Sequence, residues 1–84
     1  MVDIYQLGNN IVDALYLSYN LNATFNEVAF HDHGADISII IDEYNIIIDI
    51  ADLQYIDYYD ATFIAPYVVE LFNQLKENYQ ACLN

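Results

Sequence analysis

Apolar residues recur at helical spacing at both ends of the chain and alternate with polar ones in the middle. From Asp3 to about Tyr19, Ile4, Leu7, Ile11, Ala14, Leu15 and Ser18 fall on one helical face. Asn9, Asp13, Tyr16 and Asn20 lie on the other. Asp3 is positioned to cap this helix, with Gln6 three residues on to return the bond as a capping box. Gly8 sits mid-pattern and weakens it by about 1 kcal/mol relative to alanine, which predicts a loose first turn. A short strand is predicted over Thr24 to Phe30, followed by a turn-rich connection, His31-Asp32-His33-Gly34-Ala35.

Asp36 to Ile50 carries the clearest signal. A two-residue turn at Glu43-Tyr44 pairs 42 with 45, 41 with 46, 39 with 48 and 37 with 50. Ile37, Ile39, Ile41, Ile46, Ile48 and Ile50 then share one face, and a slip of one residue would scatter them. Asp36, Ser38, Ile40, Asp42, Asn45, Ile47 and Asp49 take the opposite face, with Ile40 and Ile47 as an apolar pair in its middle. Ala51 to Asp60 shows no clean period and reads as an irregular edge or a loop. A last helix begins between Thr62 and Pro66 and runs to about Cys82, with Pro66 expected in its first turn. Its predicted buried stripe is Ile64, Val68, Leu71, Phe72, Leu75, Tyr79 and Cys82. The expected fold class is α+β: a helix, a three-stranded antiparallel sheet around an Ile-rich hairpin, and a C-terminal helix.

Length and composition narrow this picture. With no repeat or linker in its 84 residues, the chain reads as one domain spanning 1–84, and its 57% hydrophobic content separates it from disordered acidic tails. A single cysteine, Cys82, precludes an internal disulfide and reads as a small buried hydrophobe in a reducing, cytoplasmic setting. No apolar run approaches a membrane span, and no signal-peptide pattern opens the chain.

Charge changes the picture most. Thirteen carboxylates face one cation, Lys76, giving a net charge of −12. Such imbalance destabilises a small fold through self-repulsion, so a compensating function is expected. AT-rich codon usage would raise lysine together with asparagine, yet nine Asn accompany one Lys. That mismatch points to selection against positive charge. Halophilic adaptation also makes acidic surfaces, but the Ile-, Asn- and Tyr-rich composition argues against it.

Candidate chemistry is sparse. The chain has two glycines, two histidines, no phosphate-binding loop and no nucleophile motif, so an enzyme is not expected and no cofactor is implied. His31, His33 and Asp36 form the one cluster that resembles a metal site, because histidines two apart on a strand point the same way. The competing reading, two histidines in a polar turn, is preferred. The outer hairpin face is the stronger candidate for partner binding. Asp36, Asp42, Glu43 and Asp49 lie on or beside it, Asp52, Asp57 and Asp60 extend the charge, and Tyr44 and Tyr58 (with Tyr55 and Tyr59) add aromatic contact area. Asp42 and Asp49 are expected about four residues apart along the strands, on the order of 13 Å, close to two phosphate steps of a nucleic-acid strand.

In size, charge, near-absence of Lys and Arg, and helix–three-strand–helix order, the chain resembles the small acidic phage proteins that mimic nucleic acid. These are the anti-CRISPR proteins, the antirestriction proteins and the inhibitors of uracil-DNA glycosylase. The resemblance rests on no alignable motif and carries no residue across. It implies an inhibitor whose carboxylates stand in for phosphates in the basic groove of a nucleic-acid-binding enzyme, foremost a CRISPR effector kept from its target DNA. The partner would be a basic protein in a bacterial cytoplasm, with no direct nucleic-acid contact and no membrane, and the chain a monomer or small homo-oligomer. Two other classes stand beside it: an immunity protein or antitoxin neutralising a basic toxin, and an acidic oligomeric structural subunit that uses Ile40 and Ile47 as its interface.

Overall fold

The structure, a computed structural model, describes the backbone of residues 3–83 and the side chains of residues 3–79. Its order is α1 (Ile4–Tyr19), β1 (Ala23–His31), β2 (Gly34–Ile41), β3 (Tyr44–Ile50), a 3-10 segment η1 (Leu53–Tyr58) and α2 (Ala61–Leu83). The strands form one antiparallel sheet in the order β1-β2-β3. The fold class is α+β, as the sequence predicts.

Asp3 caps α1 by accepting the Gln6 backbone N–H at 2.7 Å. Half of the expected capping box forms: the Gln6 side-chain amide donates forward to Asn10 at 3.0 Å rather than turning its oxygen back to accept the Asp3 N–H. At the other end Asn20 takes a left-handed conformation (φ 54) and its N–H closes onto the Leu15 and Tyr16 carbonyls. Gly8 does not loosen this helix. It is buried, and a Cβ there would lie 2.5 Å from the Phe25 ring, so the missing side chain lets β1 approach α1.

Two-residue turns at Asp32–His33 and Asp42–Glu43 join the strands. Their first residues have positive φ, 26 and 55, which aspartate tolerates better than most side chains. The second turn therefore falls one residue earlier than Glu43-Tyr44. Pairing becomes 41 with 44, 39 with 46, 37 with 48 and 35 with 50. Each residue's partner moves by two positions, which preserves the faces. All six expected isoleucines are buried. In β1 a bulge between Phe25 and Glu27 resets the alternation, so Phe25 and Val28 both pack against the core.

The ambiguous segment is neither strand nor open loop. Asp52 caps η1 through the Gln54 N–H at 2.9 Å, Leu53 N–H bonds the His33 carbonyl at 2.8 Å, and Ile56 anchors it in the core. Asp60 then starts α2, accepting the Thr62 N–H at 2.9 Å and hydroxyl at 2.8 Å. This cap places Pro66 at the sixth helical position, beyond the expected first turn. Lacking an N–H, Pro66 leaves the Thr62 carbonyl without its usual helical partner.

Ala61, Ala65, Val68 and Phe72 of α2 pack with Leu7, Ile11 and Leu15 of α1 onto the isoleucine face of the sheet. The predicted stripe ends near Phe72, with Leu75 37% and Tyr79 56% exposed. A helix of 23 residues, about 34 Å long, overruns strands of seven to nine residues, at most about 30 Å. Cys82 lies outside the described side chains. Among the described residues no helix is long and apolar enough to cross a membrane.

The Asp60 cap makes a pH-dependent contribution. Hydrogen bonds from the Thr62 N–H, and secondarily its hydroxyl, hold the Asp60 carboxyl below its usual pKa of 3.8. A depressed folded value stabilises the native state above pH 3.8, and that contribution fades as pH falls through the lower value. Asp60→Asn, which retains a capping oxygen, is expected to keep the parent's melting temperature near neutrality and to lose less of it towards about pH 3. Asp60→Ala should melt lower at neutral pH, and thermal denaturation at both pH values checks the pair.

Candidate functional site

Both helices pack on the isoleucine side, so the other face of the sheet is open. Thr24, Glu27, Ala29 and His31 of β1 lie on it beside Asp36, Ser38 and Ile40 of β2 and Asn45, Ile47 and Asp49 of β3. A polar ladder crosses its middle. Asn26, in the bulge, donates to the Ser38 hydroxyl at 3.3 Å, and Ser38 donates to the Asn45 carbonyl oxygen. Ser38 is 3% exposed, so these bonds fix the orientation of a group that could not be left unpaired there.

At one end of the face the three strands each contribute one side chain to a cluster. His31 stands diagonal to Asp36 across β1–β2, and Asp36 pairs directly with Asp49 across β2–β3. His31 Nε2 lies 3.3 Å from Asp36 Oδ1 and 3.0 Å from Asp49 Oδ1, with all three side chains partly exposed. His33 is absent from this cluster. It sits in the exposed Asp32–His33 turn, and Asp49 takes the place expected for it beside His31 and Asp36. A turn residue does not share the strand alternation on which that expectation rested.

The remaining candidates divide. Asp49 also lines a shallow groove at the β3 edge together with Tyr58, Tyr59, Asp60, Phe63 and Tyr67. Tyr58 is 84% exposed there and Phe63 80%. Asp36, Asp49, Tyr58 and Asp60 thus form a continuous surface that bends from the open face around the sheet edge. Asp52 and Asp60 double as caps, and Asp57 faces a second groove beside Asp13 of α1. Asp42 and Glu43 are exposed at the far end of the hairpin. Under the observed register Asp42 is six residues from the position opposite Asp49, roughly 20 Å and nearer three phosphate steps than two.

Tyr44 does not belong to this surface. As the first residue of β3 it pairs with Ile41 and turns towards the helices, its ring edge-on to Phe72 at 5.8 Å and Tyr79 at 6.4 Å. Ile40 and Ile47 are not direct partners either: Ile40 faces Asn45 and Ile47 faces Ser38. Ile47 is 49% exposed on the open face, not covered by α2. Sequence reasoning passed over Glu27, an exposed carboxylate opposite Ser38, and the exposed Phe63 and Tyr67. Applying the hairpin argument to the Asp32–His33 turn as well would have found Glu27.

Charge is unevenly placed. Asp3, Asp13, Glu70 and Glu77 belong to the two helices and the α1 cap, and the other nine of the thirteen carboxylates lie between Glu27 and Asp60, on the sheet, its turns and η1 up to the α2 cap. The sole Lys, Lys76, is on α2 with its ammonium 4.4 Å from the Phe72 ring centroid. Comparison with family models, with curated proteins and with solved structures finds no match for the chain.

Proposed function

We propose that the protein is a stoichiometric inhibitor that presents carboxylates as a phosphate mimic to the basic groove of a nucleic-acid-binding enzyme, foremost an anti-CRISPR protein that keeps an effector from its target DNA. One observation carries this reading: nine carboxylates lie between Glu27 and the α2 cap Asp60, on the sheet, its turns, η1 and that cap, with no Lys or Arg among them. Repulsion in such a set lowers stability, and a cationic partner relieves it. Neither helix covers the open face, and Tyr58 and Phe63 at its edge provide rigid contact area beside Asp49 and Asp60.

Capture from a bacterial lysate tests the proposal. Immobilised protein should retain a Lys- and Arg-rich nucleic-acid-binding enzyme at about 50 mM salt and release most of it at about 500 mM. The captured enzyme should lose nucleic-acid binding at one equivalent of inhibitor. A secreted or plasmid-borne toxin as the retained protein would instead identify an immunity protein that uses the same charge.

A further inference from the structure

We infer that His31, Asp36 and Asp49 form a site for a first-row divalent transition-metal cation of the zinc or manganese type. This does not rest on the proposed inhibitor role. The donor set is mixed, one imidazole nitrogen and two carboxylate oxygens, and it comes from three different strands. Imidazole with carboxylates suits zinc and manganese better than calcium or magnesium, which favour all-oxygen shells.

Geometry supports the same metal class. All three ligand atoms lie within 4.8 Å of one another, and His31 Nε2 is 3.0 and 3.3 Å from the two oxygens. Ligands about 2.0–2.2 Å from a common ion stand roughly 2.8–3.6 Å apart along the edges of an octahedral or tetrahedral shell. Both His31 separations fall in that interval and the two carboxylate oxygens lie within 4.8 Å of each other, so a modest side-chain adjustment lets all three groups share an ion. Three protein ligands leave at least one position for water or a group from a partner.

The sheet also explains why a cation belongs there. Asp36 and Asp49 are direct cross-strand partners, and like charges at that position repel. No Lys or Arg approaches them, since the only one in the chain is on α2. The two-residue turns at Asp32–His33 and Asp42–Glu43 hold the strands in the register that brings the donors together, so the site is formed before the ion arrives. Ser38, anchored between Asn26 and Asn45, fixes the next rung of the ladder.

The experiment titrates zinc chloride, and separately manganese chloride, into the purified full chain at neutral pH. Heat is followed by calorimetry, and the imidazole signals of His31 and His33 by NMR. Saturable one-to-one binding of either ion, with the His31 signals perturbed and those of His33 unmoved, is expected. His31→Ala and Asp49→Asn should each weaken binding by at least about tenfold, since even outer-shell changes at metal sites cost that much. His33→Ala should bind as the parent does. Absence of saturable binding by either ion, an equal response of His33, or full affinity in a folded His31→Ala variant would each overturn the assignment. The parent's NMR response decides the matter even if a variant fails to fold.

Discussion

Reversing Glu27 and Asp49 to lysine together is expected to weaken capture of the basic partner by on the order of a hundredfold, with the fold intact. Both residues are exposed on the open face, on opposite edge strands, so the pair samples its full width. The net charge moves from −12 to −8, because each reversal adds two units. Each site then replaces an attraction with a repulsion inside a cationic groove, and about 1.4 kcal/mol per site gives the stated factor. Stability should hold or rise slightly, since Lys at 49 would face Asp36 as an opposite-charge pair. Asp42 is a poorer choice for reversal: its φ of 55 favours Asp or Asn, so lysine there would add backbone strain. Glu70→Lys with Glu77→Lys makes the same change in net charge on α2 and should reduce affinity far less. Equal losses in the two double variants would show that total charge, not the open face, governs binding. Parent-like affinity in the Glu27/Asp49 variant would remove that face from the contact.

Gly34→Ala is expected to cause the largest loss of stability. A Cβ at Gly34 would stand 1.9 Å from the Ile50 carbonyl oxygen and 2.6 Å from that of Ala51, where the chain leaves β3. Those atoms are backbone and cannot rotate away. The φ of Gly34 is not positive, so the requirement is for space and not for an unusual conformation. Moving the β3 exit also disturbs the Leu53 N–H bond to His33 and hence the start of η1. A destabilisation of at least about 3 kcal/mol is expected. For an 84-residue domain that is a large fraction of a total near 4–13 kcal/mol, and a drop of more than about 10 °C in melting temperature. Gly8→Ala provides the comparison. Its Cβ would meet the Phe25 ring, a side chain that can tilt, and alanine improves helix propensity, so the loss should be smaller. Urea denaturation of both variants checks the order. A Gly34→Ala protein as stable as the parent would mean that the β3 exit does not pass so close.

The faces of the central hairpin were legible because an alternation of period two survives an error of two in register. Its turn was not legible, since nothing in the apolar pattern separates Glu43-Tyr44 from Asp42–Glu43. Only the tolerance of Asp42 for left-handed backbone decides between them. Tyr44 was misplaced for the same reason. As a turn residue it would face solvent, but as the first residue of β3 it shares the parity of Ile46 and meets Phe72. Ala51 to Asp60 gave no period because η1 is held by the Asp52 cap, the Leu53 N–H bond to His33 and the buried Ile56, none of which repeats at a regular spacing. Glu27 was missed because the hairpin argument was not carried to the Asp32–His33 turn, from which regular pairing sets Glu27 opposite Ser38 before the bulge interrupts β1. The His31–Asp36–Asp49 cluster needed the registers of both hairpins at once, so a reading confined to neighbouring residues found His33 instead.

The most direct measurement is the affinity of the purified protein for its captured partner across salt, from about 50 to about 500 mM. A surface read by a cationic groove should show log affinity falling steeply and steadily with log salt, with the association rate carrying much of the change and nucleic acid competing for the same site. An affinity that stays level across that range, or a ternary complex in which protein and nucleic acid bind together, would contradict recognition of the acidic face.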